Sequence, residues 1–447
     1  MTPSISIQTS VHAPRREEAG VWATRAHAGL VFAFLYYTFI GTHPLADTSV
    51  SSRVDGSMID RVFVLSMFAL ALFVLWGNRR TALHGMIANA PLLAVVSFCM
   101  ASILWSDYPE LTLRRGLLLI FLTTIAKAIA AGLTDLRRFH TLLFAGLTAV
   151  VIVNLLATAA APHLAVTDIG VRGVYTQKNV AGIVAMMTIV IGAAWIAGAT
   201  GRRQILLAAL ALAPALLFLV LTRSKTSINL AAGGLAIIAF FAMAERYGAA
   251  FILLAASLGL TICAGLLGLL LIIDFDTNIA LSSLFGDTTF TGRDELWAFA
   301  GREAEKRYWL GHGYGAFWDV GAVNDPLARL EPGTWLASVD IGTINQAHHG
   351  YLELWLHIGL PATVAATLTI IHGAALGGWR AVMGRGSRQT RAALGAFAAL
   401  LLLQLLHNFT EATLFMRGAA FCSMAMLAMF VIARARDFEA AAESRGR

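Results

Sequence analysis

The chain has 447 residues, 58% of them hydrophobic and 13% charged, with a formal net charge of +7. Soluble globular proteins carry roughly 25% charged residues, so these figures and a mean hydropathy of +0.71 exclude an ordinary soluble enzyme and indicate a polytopic membrane protein. The positive balance then reads as cytoplasmic Lys and Arg with affinity for anionic lipid or phosphate, rather than for nucleic acid.

About 20 apolar residues cross a bilayer as a helix. Apolar runs lie near residues 27–42, 61–77, 90–105, 115–133, 139–161, 180–200, 204–222, 227–245, 249–274, 350–378, 391–410 and 414–433. They predict an all-α chain with about twelve transmembrane helices: a cytoplasmic segment 1–26, a membrane domain 27–274, a long loop 275–347, a second membrane part 348–433 and a cytoplasmic tail 434–447. Both ends of the chain read as disordered. Cys99, Cys263 and Cys422 all lie in apolar runs and read as core residues, with neither disulfide nor zinc-ligand spacing.

Orientation follows from basic residues in short loops. The connectors GNRR (77–80), LRRF (136–139), GRRQ (201–204) and WRAVMGRGSRQTR (379–391) place the N-terminus inside. The long loop then lies outside, and a connection of that length among short ones is usually functional. No internal repeat is visible, whereas many transporters are built from repeats.

Cationic residues nonetheless gather at the outer helix ends. WSDYPELTLRRG carries Arg114 and Arg115, RGVYTQKNVAG carries Arg172, Tyr175, Lys178 and Asn179, and LTRSKTS carries Arg223 and Lys225. Arg293 follows in TGRDELW, then His348 and His349 in QAHHGYLELW, then His407, Glu411 and Arg417 in HNFTEATLFMRG. Ionisable groups at membrane depth are costly and mark function by default. The guanidinium fork matches phosphate oxygens bidentately, so the cluster suggests an anionic lipid phosphate or diphosphate.

Within the loop, GRDELWAFAGREAEKRYWL has helical composition. Asp294 and Glu295 suit the first turn, Leu296, Trp297, Phe299 and Ala300 form an apolar stripe, and Glu303 is spaced to pair with Arg307. LGHGYGAFW (310–318) reads as a flexible turn, since it follows no strand and opens no helix as a nucleotide loop would. The histidines at the tenth run can act as a base or hydrogen-bond a substrate hydroxyl near neutral pH. No spacing supports a metal site.

RGVYTQKNVAG (172–182), LTRSKTS (221–227), TGRDELW (291–297), LGHGYGAFW (310–318) and AHHGYLELWLHIGLPA (347–362), in this order and on one side of the membrane, resemble the O-antigen ligase and polymerase superfamily. That group comprises the Wzy-like polymerases and WaaL-like ligases, and the wording is most similar to exopolysaccharide repeat-unit polymerases of the succinoglycan type. The resemblance spans about residues 60–430. It implies a GT-C-like glycosyltransferase architecture in the bacterial inner membrane, with the active site facing the periplasm. It also implies metal-independent, cofactor-free and inverting transfer of an undecaprenyl-diphosphate-linked oligosaccharide to an acceptor glycan hydroxyl. Further polysaccharide export components are implied as partners.

Matched by motif, the family's catalytic residues fall on Arg172, Arg293 and His348. Arg223, Lys225, Lys178, Tyr175 and His349 follow as substrate-binding candidates. The usual His-Asn pair is His-His here, so His349 takes the Asn position, and Lys225 stands where many members have Arg. Two other readings accompany this one: a ligase attaching a finished chain to lipid A–core or another acceptor, and a twelve-span secondary transporter. Acidic residues are scarce within the spans, which leaves little from which to build a proton relay.

Overall fold

A computed structural model describes residues 13–45, 57–272, 293–330, 333, 336–340 and 344–446. The chain is an all-α membrane protein. It runs through α1 (Ala13–Phe39), α2 (Met58–Gly77), α3 (Arg79–Ala88), α4 (Ala90–Ala101), α5 (Pro109–Gly132), α6 (Leu136–Ala160) and the short α7 (Pro162–Ala165). A small antiparallel hairpin, β1 (Val166–Thr167) and β2 (Gly170–Val171), leads into α8 (Lys178–Gly198), α9 (Arg202–Thr222) and α10 (Lys225–Ile272). Then come α11 (Arg293–Lys306), α12 (Gly350–Ile358), α13 (Leu360–Met383), α14 (Arg388–His407), α15 (Ala420–Ala433) and α16 (Ala435–Gly446).

Among the described residues eight helices are long and apolar enough to cross a membrane, or nine if the bent α3–α4 pair is one span. The expected twelve differ in identifiable places. The runs 227–245 and 249–274 are the two helical arms of α10, which meet at a kink at Gly248, whose φ of 63° only glycine adopts readily, so the break falls between the two expected runs. The run 90–105 belongs to the pair α3–α4, bent by 82°. The run 414–433 forms only the 14-residue α15. The run 350–378 is interrupted at Gly359 (φ 80°), so α12 is separate and the span begins at Leu360.

The most buried spans are α8 and α14. A helix apolar all round is one that other helices surround, and α8 packs against α6, α9, α10 and α14. Small residues permit that approach: a Cβ on Gly182 would meet Ser227 Oγ at 2.5 Å, and one on Gly192 would meet Leu212 and Phe144 at the same distance.

Both chain ends depart from expectation. Helix α1 begins at Ala13, well before the run expected from residue 27, while residues 1–12 lie outside the described set. The tail forms α16, which buries Phe438 and Glu439 and anchors Glu439 to Arg380 at 3.1 Å.

The described part of the long loop packs a second, smaller core. Helix α11 forms where expected and buries Leu296, Phe299 and Ala300 against Phe317, Trp318 and Leu356. Its expected Glu303–Arg307 pair does not form. Glu303 pairs with Lys306 at 2.5 Å, and Arg307 reaches Asp107 at 2.9 Å, because the helix ends at Lys306 and turns Arg307 away. LGHGYGAFW is a buried turn rather than a flexible one. Gly311, Gly313 and Gly315 have positive φ, Tyr314 is fully buried, and its hydroxyl donates to Phe415 O at 2.5 Å.

Candidate functional site

The site is built on the end of α14. The Asn408 side-chain oxygen accepts the backbone N–H of Thr413 and of Leu414, both at 2.8 Å, and its amide donates to Gln404 O at 2.6 Å. These bonds satisfy groups the helix end leaves open and fold HNFTEATL into a tight loop that carries Glu411, 6% exposed. The loop is held from the other side by Gly350, whose N–H donates to Asn408 O at 2.8 Å. A Cβ on Gly350 would lie 1.7 Å from Asn408 Oδ1. Gly350→Ala is therefore expected to destabilise the protein by about 1–3 kcal/mol, as overpacking does, read as a lower thermal midpoint.

Glu411 gathers residues from three distant parts of the chain, and Asn179 adds a fourth through Ser224. Its Oε2 lies 2.9 Å from His348 Nδ1, and its Oε1 accepts Asn179 Nδ2 at 2.7 Å and Arg293 at 3.4 Å. Arg293 also donates to Thr410 O at 3.0 Å, and Asn179 Oδ1 accepts the Ser224 hydroxyl at 3.1 Å. Ser224 sits just before α10, where its hydroxyl accepts the Ser227 backbone N–H at 3.5 Å, as helix-capping serines do, and bonds the Ser227 hydroxyl at 3.0 Å. Burial pushes the Glu411 carboxyl up, but the His348 hydrogen bond and the charges of His348 and Arg293 outweigh it and hold the group below its ordinary value. An ionised carboxylate only accepts, so His348 Nδ1 carries a proton toward it, and in the neutral ring Nε2 is the nitrogen left with the lone pair. His348 has a left-handed backbone, φ 50°, of the kind found at functional sites.

The structure thus brings Arg293 and His348 together on one carboxylate. Glu411, Asn179 and Ser224 complete the group and were not among the candidates chosen from sequence. The signal for Glu411 was present: an acidic residue in an otherwise apolar stretch at a helix end. Arg172 donates to backbone carbonyls: its guanidinium reaches Leu164 O at 2.7 Å and Thr176 O at 3.5 Å, bracing the loop before α8. Lys178 donates to Ile169 O at 2.9 Å. Arg223, at φ 51°, closes α9 with its side chain exposed, as is that of Lys225. His349 caps α12, its Nδ1 accepting Leu352 N–H at 3.2 Å, with its ring edge-on to Trp297, Tyr351 and Phe409.

A cavity of about 520 Å³ opens beside the cluster. Glu411 and Asn179 form part of its wall, with Tyr175, Gln177, Asn345, Gln346, Arg115 and Arg417. Tyr175 donates to Phe39 O at 2.5 Å from that wall. A larger groove of about 990 Å³ lies away from the cluster, between α1, α6 and α8; it reaches from Arg137 and Arg138 to Ile40, which lines the cavity as well.

Behind the cavity, Glu353 of α12 positions the backbone before His348. Its Oε2 accepts Ala347 N–H at 2.7 Å and Trp318 Nε1–H at 3.0 Å. Trp297 Nε1 holds Ala347 O at 2.9 Å from the other side. Burial pushes the Glu353 carboxyl from its ordinary 4.5 up to about 7. The folded chain therefore binds this proton where the unfolded chain has released it. That stability is complete below the ordinary value and is lost as pH rises through about 7. The thermal midpoint is expected to fall between about pH 5 and pH 8, and Glu353→Gln is expected to flatten that slope. An equal slope in both proteins would refute this assignment.

No family model matches the chain, and no curated protein matches it.

Proposed function

We propose that this chain is a glycosyltransferase of the bacterial cytoplasmic membrane that passes a lipid-diphosphate-linked glycan to an acceptor sugar hydroxyl at the periplasmic face, extending a surface polysaccharide or exopolysaccharide. The observation that carries the proposal is the pairing of His348 Nδ1 with the buried carboxylate of Glu411 at 2.9 Å. An imidazole so oriented offers Nε2 as a general base, worth about 10²–10⁴-fold.

In the reaction, Nε2 takes the hydroxyl proton and the oxygen forms a bond to the anomeric carbon. The carbon–oxygen bond to the diphosphate breaks, and the lipid diphosphate leaves with the electron pair. Direct displacement inverts the anomeric centre. Arg293 supplies positive charge beside the carboxylate, and Arg172, on the loop opening α8, is a second cation proposed to meet the leaving group, as preorganised donors do. The groove that reaches the cavity at Ile40 supports a path for an apolar lipid tail.

The test uses purified protein in nanodiscs with a polyprenyl-diphosphate-linked repeat unit as sole substrate, and products resolved by size. A ladder of longer chains is the expected result. Extension only when lipid A–core is added would make the protein a ligase. No new glycosidic bond under either condition would contradict the proposal and favour a transporter.

A further inference from the structure

Two arginines meet in the wall of the cavity beside Glu411, and they are used differently. Arg115, buried in α5, spends its fork on the backbone: it donates to Gly315 O, to Trp318 O at 2.9 Å and to Asp319 O at 2.9 Å. Those bonds hold the buried GYGAFW turn in place. Arg417 stands next to it, with NH1 3.1 Å from where a Cβ on Gly315 would lie. Its guanidinium makes no hydrogen bond or ion pair with any described residue, although it faces the cavity.

The surrounding charge is unbalanced. The groups that act on Arg417 are Arg114, Arg115, Asp319, Glu353 and Tyr314. Glu353 holds its proton up to about pH 7, and Glu411, on the same wall, is already engaged by His348, Arg293 and Asn179. Two acids, Asp319 and Glu353, thus stand against the three guanidinium groups of Arg114, Arg115 and Arg417. A planar fork of donors, open to a cavity with excess positive charge, is suited to a bidentate oxyanion. The neighbouring amides of Gln177, Asn345 and Gln346 add uncharged donors and acceptors of the kind that meet phosphate or sugar oxygens.

We infer that this cavity is a phosphate-binding subsite in which Arg417, rather than Arg115, grips the ligand. The inference rests on the proposed function for the source of that phosphate, the diphosphate of a lipid-linked substrate, and adds Arg417 to Arg172 and Arg293 as a substrate-positioning residue.

The test is equilibrium binding of labelled polyprenyl diphosphate, and separately of inorganic pyrophosphate, to the full chain in nanodiscs. Wild type is compared with Arg417→Gln and Arg417→Lys. Since the Arg417 guanidinium has no hydrogen-bond partner among the described residues to orphan, both variants are expected to keep the wild-type thermal midpoint. Arg417→Gln should weaken polyprenyl diphosphate binding by about 10- to 100-fold, the worth of one charge-assisted bidentate contact. Arg417→Lys, with charge but no fork, should fall between. Unchanged affinity in Arg417→Gln would overturn the subsite. Pyrophosphate binding that depends on Arg417, with no binding of the lipid, would keep the subsite but overturn its lipid source. Wild type that binds neither would overturn the inference, while the product ladder still decides the function.

Discussion

Glu411→Gln is expected to lower glycan transfer by about 10²–10⁴-fold while leaving KM within about twofold. Glutamine keeps the size of the side chain and one carbonyl oxygen. That oxygen can still accept from Asn179 or Arg293, which lie 2.7 and 3.4 Å from Glu411 Oε1. The amide nitrogen then faces His348 Nδ1, and two donors oppose each other. The ring responds by carrying its proton on Nε2, the atom needed as base, and the acceptor hydroxyl loses its proton acceptor. A residue that merely filled space would leave kcat intact on this substitution. A loss expressed in KM with normal kcat would therefore contradict the positioning role. Because the charges around Glu411 hold its carboxyl below the ordinary value, its ionisation is also not expected to shape activity near neutral pH.

His348 variants should lose as much, and the choice of variant matters. His348 sits at φ 50°, a region that Asn tolerates better than other non-glycine residues. His348→Asn should therefore fold and insert as wild type does, yet transfer glycan about 10²–10⁴-fold more slowly. His349→Ala provides the contrast. The adjacent imidazole caps α12 and packs among aromatic rings, so its loss should cost about 0.5–2 kcal/mol of stability with a far smaller effect on kcat. Equal loss of activity from both positions would count against the separation of roles.

The helical architecture was legible because bilayer solvation requires long apolar runs with internally satisfied backbone. The places where reading by hydropathy went astray are places where geometry overrides it. Gly359 breaks the run 350–378 with a positive φ, which no apolar count reveals. The convergence of Arg293 and His348 was legible from their shared side of the membrane. The carboxylate joining them was harder to find, since Glu411 lies 118 residues from Arg293 in sequence and no local spacing links the two. His349 and Arg172 both take backbone partners in the fold, which residue type alone does not foretell. Backbone partners likewise distinguish Arg115 from Arg417, identical in chemistry and different in what surrounds them.

The most direct test of the central claim, that Glu411 acts through His348, is a double-mutant cycle on the rate of glycan transfer from a lipid-diphosphate-linked repeat unit. Wild type, Glu411→Gln, His348→Asn and the double variant are compared at saturating substrate. Residues that act as one unit are non-additive, so the double variant should be no slower than His348→Asn alone. Losses that multiply would contradict the account.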